Sequence, residues 1–205
     1  MEENKIVPHE GTKKGVNVQA LVGLGLLTAI VVVLQGLAVG IRFGMFNITF
    51  VLVPIVVGAA LYGWKAGAWL GFVFGVVVLF TDAGAFLAIS VPGTIVTVLA
   101  KGILAGTVAG LVYKLISKKN EIVATLSAAV VSPVVNTGIF LLGCAVFFYD
   151  TISAWAEGAG FANVGAYMIL GLVGINFVVE MAINLVLSSA IVTIVNIARK
   201  HIRTA

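Results

Sequence analysis

Asn176, Glu180 and Asn184 recur at four-residue spacing within a stretch, 164–195, that carries no other charge. Spaced i, i+4 and i+8 on a helix, they share one face. A carboxylate between two carboxamides can hold the hydroxyl and amide groups of a small polar molecule, or act as a general base. The surrounding run is long enough to cross a bilayer, where a central charge costs on the order of 2.5–3.5 kcal/mol on insertion scales. Such a charge needs a protein-side partner. Interhelical hydrogen bonds, worth ~0.6 kcal/mol each, are one explanation. A substrate or ion pocket is the other, and it is the default for an intramembrane ionisable residue.

Other polar groups stand out in the same way. Lys101 is a second charge inside an apolar run, although near a helix start it could snorkel to the interface. Asn136 falls close to Pro133 in a long apolar stretch, Arg42 is the only arginine outside the C-terminal tail, and Asp82 sits in a semi-polar loop. Metal and nucleophile chemistry find no support. The single cysteine, Cys144, lies in an apolar run, and both histidines, His9 and His201, fall in polar tails. Disulfide, zinc and haem sites therefore lack ligands, and no Ser/His or Cys/His pair offers a catalytic residue. An intramembrane enzyme using Glu180 as general base, with Lys101 as partner, is the alternative from another functional class.

These side chains must be positioned by elements that lie in lipid. Of 205 residues, 61% are hydrophobic and 10% charged, and the mean hydropathy is +1.19. Those values exclude a soluble globular domain and point to an all-α membrane protein. The net charge of +4 and pI near 9.3 do not imply nucleic acid, because the basic residues are distributed as in membrane topology. The apolar runs predict six transmembrane helices in a membrane domain spanning 18–197, between a polar tail at 1–17 and a basic tail at 198–205.

The first predicted helix, Val18 to Val39, carries Gly25 and Ala29 as a small-xxx-small pair that another helix can approach closely. The second, Phe46 to Tyr62, contains Pro54, expected to kink or unwind it, and Gly63-Trp64-Lys65 then makes a tight turn. The third, Ala66 to Phe80, bears Gly67, Gly71 and Gly75 on a packing face. Thr81 to Gly93 is a loop too short to span, which could fold over a pocket as a lid. The fourth helix, Thr94 to Ile116, carries Gly102, Gly106 and Gly110 on one face and Thr94, Thr97 and Lys101 on another. The fifth runs from Ile122 to Phe148, Tyr149 to Asn163 forms a polar loop with interface-type aromatics, and the sixth helix extends from Val164 to Asn196.

With both termini cytoplasmic, Lys5, Lys13, Lys14, Lys65, Lys114, Lys118, Lys119, Arg199, Lys200 and Arg203 lie inside, while Arg42, Asp82, Asp150 and Glu157 lie outside. This arrangement satisfies the positive-inside rule. At 1.5 Å per residue, Asn176 and Glu180 lie about 18 and 24 Å along the sixth helix and Lys101 about 10 Å into the fourth. The polar groups thus converge on a cup open to the exterior, lined by Arg42, Lys101, Asn136, Asn176 and Glu180, with Asn47, Thr49 and the Asp82 loop capping the same half. The cup suits a small, polar, anionic molecule. A channel or complete transporter would show a continuous polar path to the cytoplasm, and none is visible.

Val53-Pro54-Ile55-Val56-Val57-Gly58, Tyr62-Gly63-Trp64-Lys65-Ala66-Gly67, Gly71-Phe72-Val73-Phe74-Gly75, Pro133-Val134-Val135-Asn136-Thr137 and Asn176-Phe177-Val178-Val179-Glu180 together resemble the substrate-binding S component of energy-coupling factor (ECF) vitamin transporters. The resemblance extends from about Ala20 to Val195 and is nearest the pantothenate and folate branch. It implies a multi-pass protein of the bacterial cell membrane that captures a vitamin outside. It further implies association with a membrane coupling T subunit and two cytoplasmic ATPase subunits. No Walker A sequence is present, so ATP would be hydrolysed by the partners and this chain needs no cofactor. The family's first helix carries an Ala-xxx-Ala pair facing the coupling subunit, matched here by Gly25 and Ala29. Its ligand-binding positions map to Arg42, Asp82, Lys101, Asn136, Asn176 and Glu180. Pantothenate is the expected vitamin, since one carboxylate, two hydroxyls and an amide match one or two cations plus amides. Folate and riboflavin are the alternatives, but a pterin or flavin favours more aromatic stacking than Phe43, Phe86 and Phe140 offer.

Overall fold

The computed structural model describes residues 18–38, 42–43, 46–47 and 50–204. They form a helical bundle, α1 (Val18–Ala38), α2 (Leu52–Tyr62), α3 (Trp64–Thr81), α4 (Gly84–Leu87), α5 (Val91–Ile116), α6 (Glu121–Phe147), α7 (Tyr149–Gly158), α8 (Val164–Ala166) and α9 (Gly174–Thr204). A π-helical turn, Tyr167–Leu172, joins the last two. A two-residue antiparallel pairing, β1 (Arg42–Phe43) with β2 (Phe46–Asn47), lies between α1 and α2. The polar N-terminal tail lies outside the described residues.

α1, α3, α5 and α6 are each long and apolar enough to cross a membrane, and Val164–Leu172 with Gly174–Leu187 makes a fifth candidate span bent by 46°. Apart from the two-residue strand pair, the described elements are helical, and the protein is a multi-pass membrane protein. Polar caps set several helix starts. Asn120 accepts from the backbone N–H groups of Ile122 and Val123 at 2.9 and 3.1 Å, and Ser90 accepts from Gly93 at 3.3 Å. Each such cap is worth about 1 kcal/mol.

Four expectations need correction. Residues 46–62 do not form one helix: Phe46 and Asn47 pair with β1, and the helix occupies Leu52–Tyr62. Pro54 therefore lies in the first turn of α2, where the N–H it lacks has no intrahelical partner anyway. The connection from 81 to 93 is shorter than expected, because α4 folds within it and α5 starts at Val91 behind the Ser90 cap. The 149–163 loop contains α7. Finally, the last apolar run is broken at Val173 rather than continuous.

α3 and α5 pack through their glycines. A Cβ placed on Gly67 or Gly71 would strike the carbonyl oxygen of Gly106 or Gly102, and the reverse holds for Gly106 and Gly102. The two predicted glycine faces thus meet each other, bringing the helices to backbone contact. At one end of the bundle a core of small residues, including Ala60, Ala109, Ala124, Ala128 and Ala129, packs around Val56, Tyr113 and Ile191. At the other, Phe86, Phe140, Phe148, Ile152 and Tyr167 form a bulkier cluster beneath α4 and α7.

Candidate functional site

Lys101 follows directly from the glycine contact. It adjoins Gly102 on α5, whose partner Gly71 lies one turn before Phe74 on α3. The close approach leaves the Lys101 ammonium 5.6 Å from the centre of the Phe74 ring and 5.3 Å from that of Phe140 on α6. Both distances fall within cation–π range, each contact worth ~0.5–2 kcal/mol. The head group is therefore held between two rings inside the bundle rather than snorkelling to an interface.

Around this ammonium lies a cavity of about 520 Å³, its open mouth included. Five of the six predicted site residues line it together: Asp82, Lys101, Asn136, Asn176 and Glu180. They come from α5, α6, α9 and the cap of α3, and the fields of both Glu180 and Asp82 reach Lys101. For Arg42, the backbone pairs with Asn47 in the hairpin, while its side chain lies outside the described residues. Asn47 and Thr49 also fall outside what is described of side chains.

α9 contributes one face: Asn176, Phe177 and Glu180 line the cavity, together with Val173 at the break just before the helix. Asn184 continues the stripe one turn deeper but is not part of the wall; it is 1% exposed and its Nδ2 donates to the Glu180 backbone carbonyl at 2.9 Å.

The amides are the unusual part. The side-chain oxygens of Gln35, Asn136 and Asn176 are buried without a hydrogen-bond partner, and all three residues border the cavity. A buried acceptor left dry costs ~1–3 kcal/mol, so each calls for a donor from water or from a bound molecule. One wall therefore carries a cation, and others carry carboxylates and free amide acceptors. Such a cavity can take a carboxylate at one point and hydroxyl or N–H groups at others. Among the described residues no cluster of three or more His, Cys, Asp or Glu could hold a metal ion.

Three features of the site go beyond the predicted set. Gln35 of α1 enters the wall, and an amide inside an apolar run was the available signal. Phe74 and Phe177 also line the cavity. Phe86 does not; it packs edge-on against Phe140, Phe148 and Trp155 at 5.5, 5.1 and 5.8 Å. On α1 the small pair is exposed: Ala29 faces outward and a Cβ on Gly25 would meet nothing within 4 Å.

No curated protein matches the chain, and no solved structure matches it either. A family model does: residues 19–195 match that of the ECF transporter, substrate-specific component. A match of that extent covers most of the chain and all six predicted site positions, so the chain belongs to the family of ECF transporter substrate-specific components.

Proposed function

We propose that the cavity captures a small water-soluble vitamin, pantothenate first, and that Asp82, Lys101, Asn136, Asn176 and Glu180 bind it with Arg42 contributing from the hairpin. Membership of the family makes the protein a substrate-capturing subunit, with ECF T and ATPase partners, and the family is one of transporter components rather than enzymes. The choice of vitamin rests on one observation: a single cavity presents an ammonium together with unpartnered amide oxygens. Lys101 receives a carboxylate, while Glu180 and the amides receive hydroxyl and N–H donors. Pantothenate has one carboxylate, two hydroxyls and an amide. Phe74 and Phe140 already hold the Lys101 ammonium, which leaves few ring faces to stack a pterin or flavin.

In this reading the protein lies in the bacterial cell membrane, crosses it six times and keeps both termini in the cytoplasm. α2 serves as one of the six crossings. The mouth faces outward, and Gly25 and Ala29 on the exposed side of α1 meet the coupling T subunit, which joins two cytoplasmic ATPase subunits. ATP is hydrolysed there, and this chain uses no cofactor.

The test is mass spectrometry of the molecule that copurifies with the protein, followed by equilibrium binding of pantothenate. Pantothenate in the extract and saturable binding are expected. A coloured flavin or a folate in its place overturns the vitamin assignment. Undiminished affinity in both Glu180→Gln and Asn176→Ala overturns the site.

A further inference from the structure

Gln35 is the cavity residue contributed by α1. It is 2% exposed, and its Nε2 donates to Thr81 Oγ1 over a long 3.4 Å. The Thr81 hydroxyl in turn donates to the Val77 carbonyl at 2.9 Å. A carboxamide is ambidextrous, its oxygen and nitrogen being nearly alike in size, and only its hydrogen-bond network decides which end points where. Here the network decides. The Thr81 proton is committed to the carbonyl of its own helix, so toward Gln35 the hydroxyl oxygen can only accept. That requirement is met by the NH₂ end of Gln35 and by no other. The oxygen end is thereby turned away from Thr81; it is buried and unpartnered, on a residue that lines the cavity.

The geometry points to Gln35 as a specificity-determining residue: its Oε1, oriented by Thr81, reads a hydrogen-bond donor, an O–H or N–H, on the captured molecule. The inference deepens the capture reading above and rests on it. An acceptor placed at the same point would set two oxygen lone pairs against each other. A buried site built around a hydrogen bond rejects analogues lacking the matching group more strongly than it rejects a change in apolar bulk. Thr81 is a positioning residue, acting through Gln35 without touching the ligand. Asn136 and Asn176 also offer unpartnered acceptors. The captured molecule is therefore donor-bearing away from the carboxylate that Lys101 receives.

The experiment uses the full-length protein in detergent. The chain has two glutamines, Gln19 and Gln35, so side-chain ¹⁵N-glutamine labelling gives two carboxamide signals. Pantothenate is expected to shift the Gln35 signal and leave that of Gln19 in place. Gln35→Leu, and Gln35→Met as a length-matched second variant, should each raise the Kd for pantothenate about tenfold, the loss of one buried hydrogen bond. A pantothenate analogue with the matching hydroxyl replaced by hydrogen should bind the wild type and Gln35→Met equally. Thr81→Val should weaken pantothenate binding several-fold, and Thr81→Ser should restore it, without either changing affinity for that analogue. An unchanged Kd in Gln35→Met, or a Gln35 signal indifferent to bound pantothenate, overturns the inference. Failure of pantothenate to bind the wild type overturns the vitamin assignment instead. The ligand-free spectrum then decides: a Gln35 signal shifted by Thr81→Val but not by Thr81→Ser supports the orienting relay, and one unmoved by Thr81→Val refutes it.

Discussion

Gly71→Ala tests the frame that positions Lys101. A Cβ on Gly71 would strike the Gly102 carbonyl oxygen and lie 2.6 Å from its carbon and 3.1 Å from the Ile103 nitrogen. These are helix backbone atoms and cannot rotate aside. Favourable separation begins near ~3.5 Å, so α3 and α5 must part locally by roughly 1 Å. Overpacking costs ~1–3 kcal/mol, and backbone on both sides puts this site near the upper end. The helix propensity of alanine over glycine returns up to about 1 kcal/mol. The remaining ~2 kcal/mol corresponds to a fall in Tm of roughly 4–8 °C for a chain of this size. Cys144 is the only cysteine and is fully buried, so a thiol-reactive fluorogenic dye on a thermal ramp reports unfolding directly. Gly138→Ala and Gly25→Ala are the controls, since an added Cβ meets nothing within 4 Å at either position. Pantothenate affinity should fall in parallel, because parting the helices draws Lys101 away from Phe74. A Gly71→Ala midpoint equal to that of Gly138→Ala would refute the backbone-contact argument.

Further outcomes are expected. Glu180→Gln and Asn176→Ala should each weaken pantothenate binding, measured by equilibrium titration, with little change in Tm. Leucine at Gly25 or Ala29 should leave ligand affinity intact yet abolish vitamin uptake in vesicles containing the coupling T and ATPase subunits; lost binding instead would mean that this face belongs to the bundle. Gly63 joins α2 to α3 at φ +90° and ψ 174°, a conformation costing an L-residue ~1–3 kcal/mol, so Gly63→Ala should lower the dye-reported Tm although no atom lies within 4 Å of the added carbon.

Much of this site was legible because a few strong constraints overlap. Helical spacing put Asn176 and Glu180 on one face, and rise per residue put Lys101 and Asn136 in the same part of the bundle. The cavity does gather these four with Asp82. The glycine stripes on α3 and α5 were also visible, but spacing reveals a face and not its partner. Only the folded register pairs Gly71 with Gly102 and Gly67 with Gly106. Gln35 lay within reach of the same reasoning that singles out Glu180, since an amide inside an apolar run also requires a partner. The shortness of α2 was concealed by Phe46, Ile48, Phe50 and Val51, apolar residues whose hydropathy is indifferent to whether the backbone is helical. Phe86 was counted among the aromatics of the cup, whereas it lies outside the cavity wall and its ring packs against three other aromatic side chains.

The break in the last apolar run carries no proline to announce it, yet it divides that run into two tasks. In an unbroken helix, Met168, Leu172, Asn176 and Glu180 would follow one another along a single face. The π-helical turn and the 46° bend separate them. Tyr167, Met168 and Leu172 join the cluster around Phe86 and Phe148, while Asn176 and Glu180 face the cavity. The two groups meet at Phe140, which belongs to the cluster, lines the cavity and stands 5.3 Å from the Lys101 ammonium. A π-helical turn costs regular hydrogen bonding and commonly marks a functional position. Here it lets one chain segment supply an apolar buttress and then a polar wall without a loop between them. The depth of the polar wall is thereby set by aromatic packing around Phe140 as well as by the helix that carries Glu180.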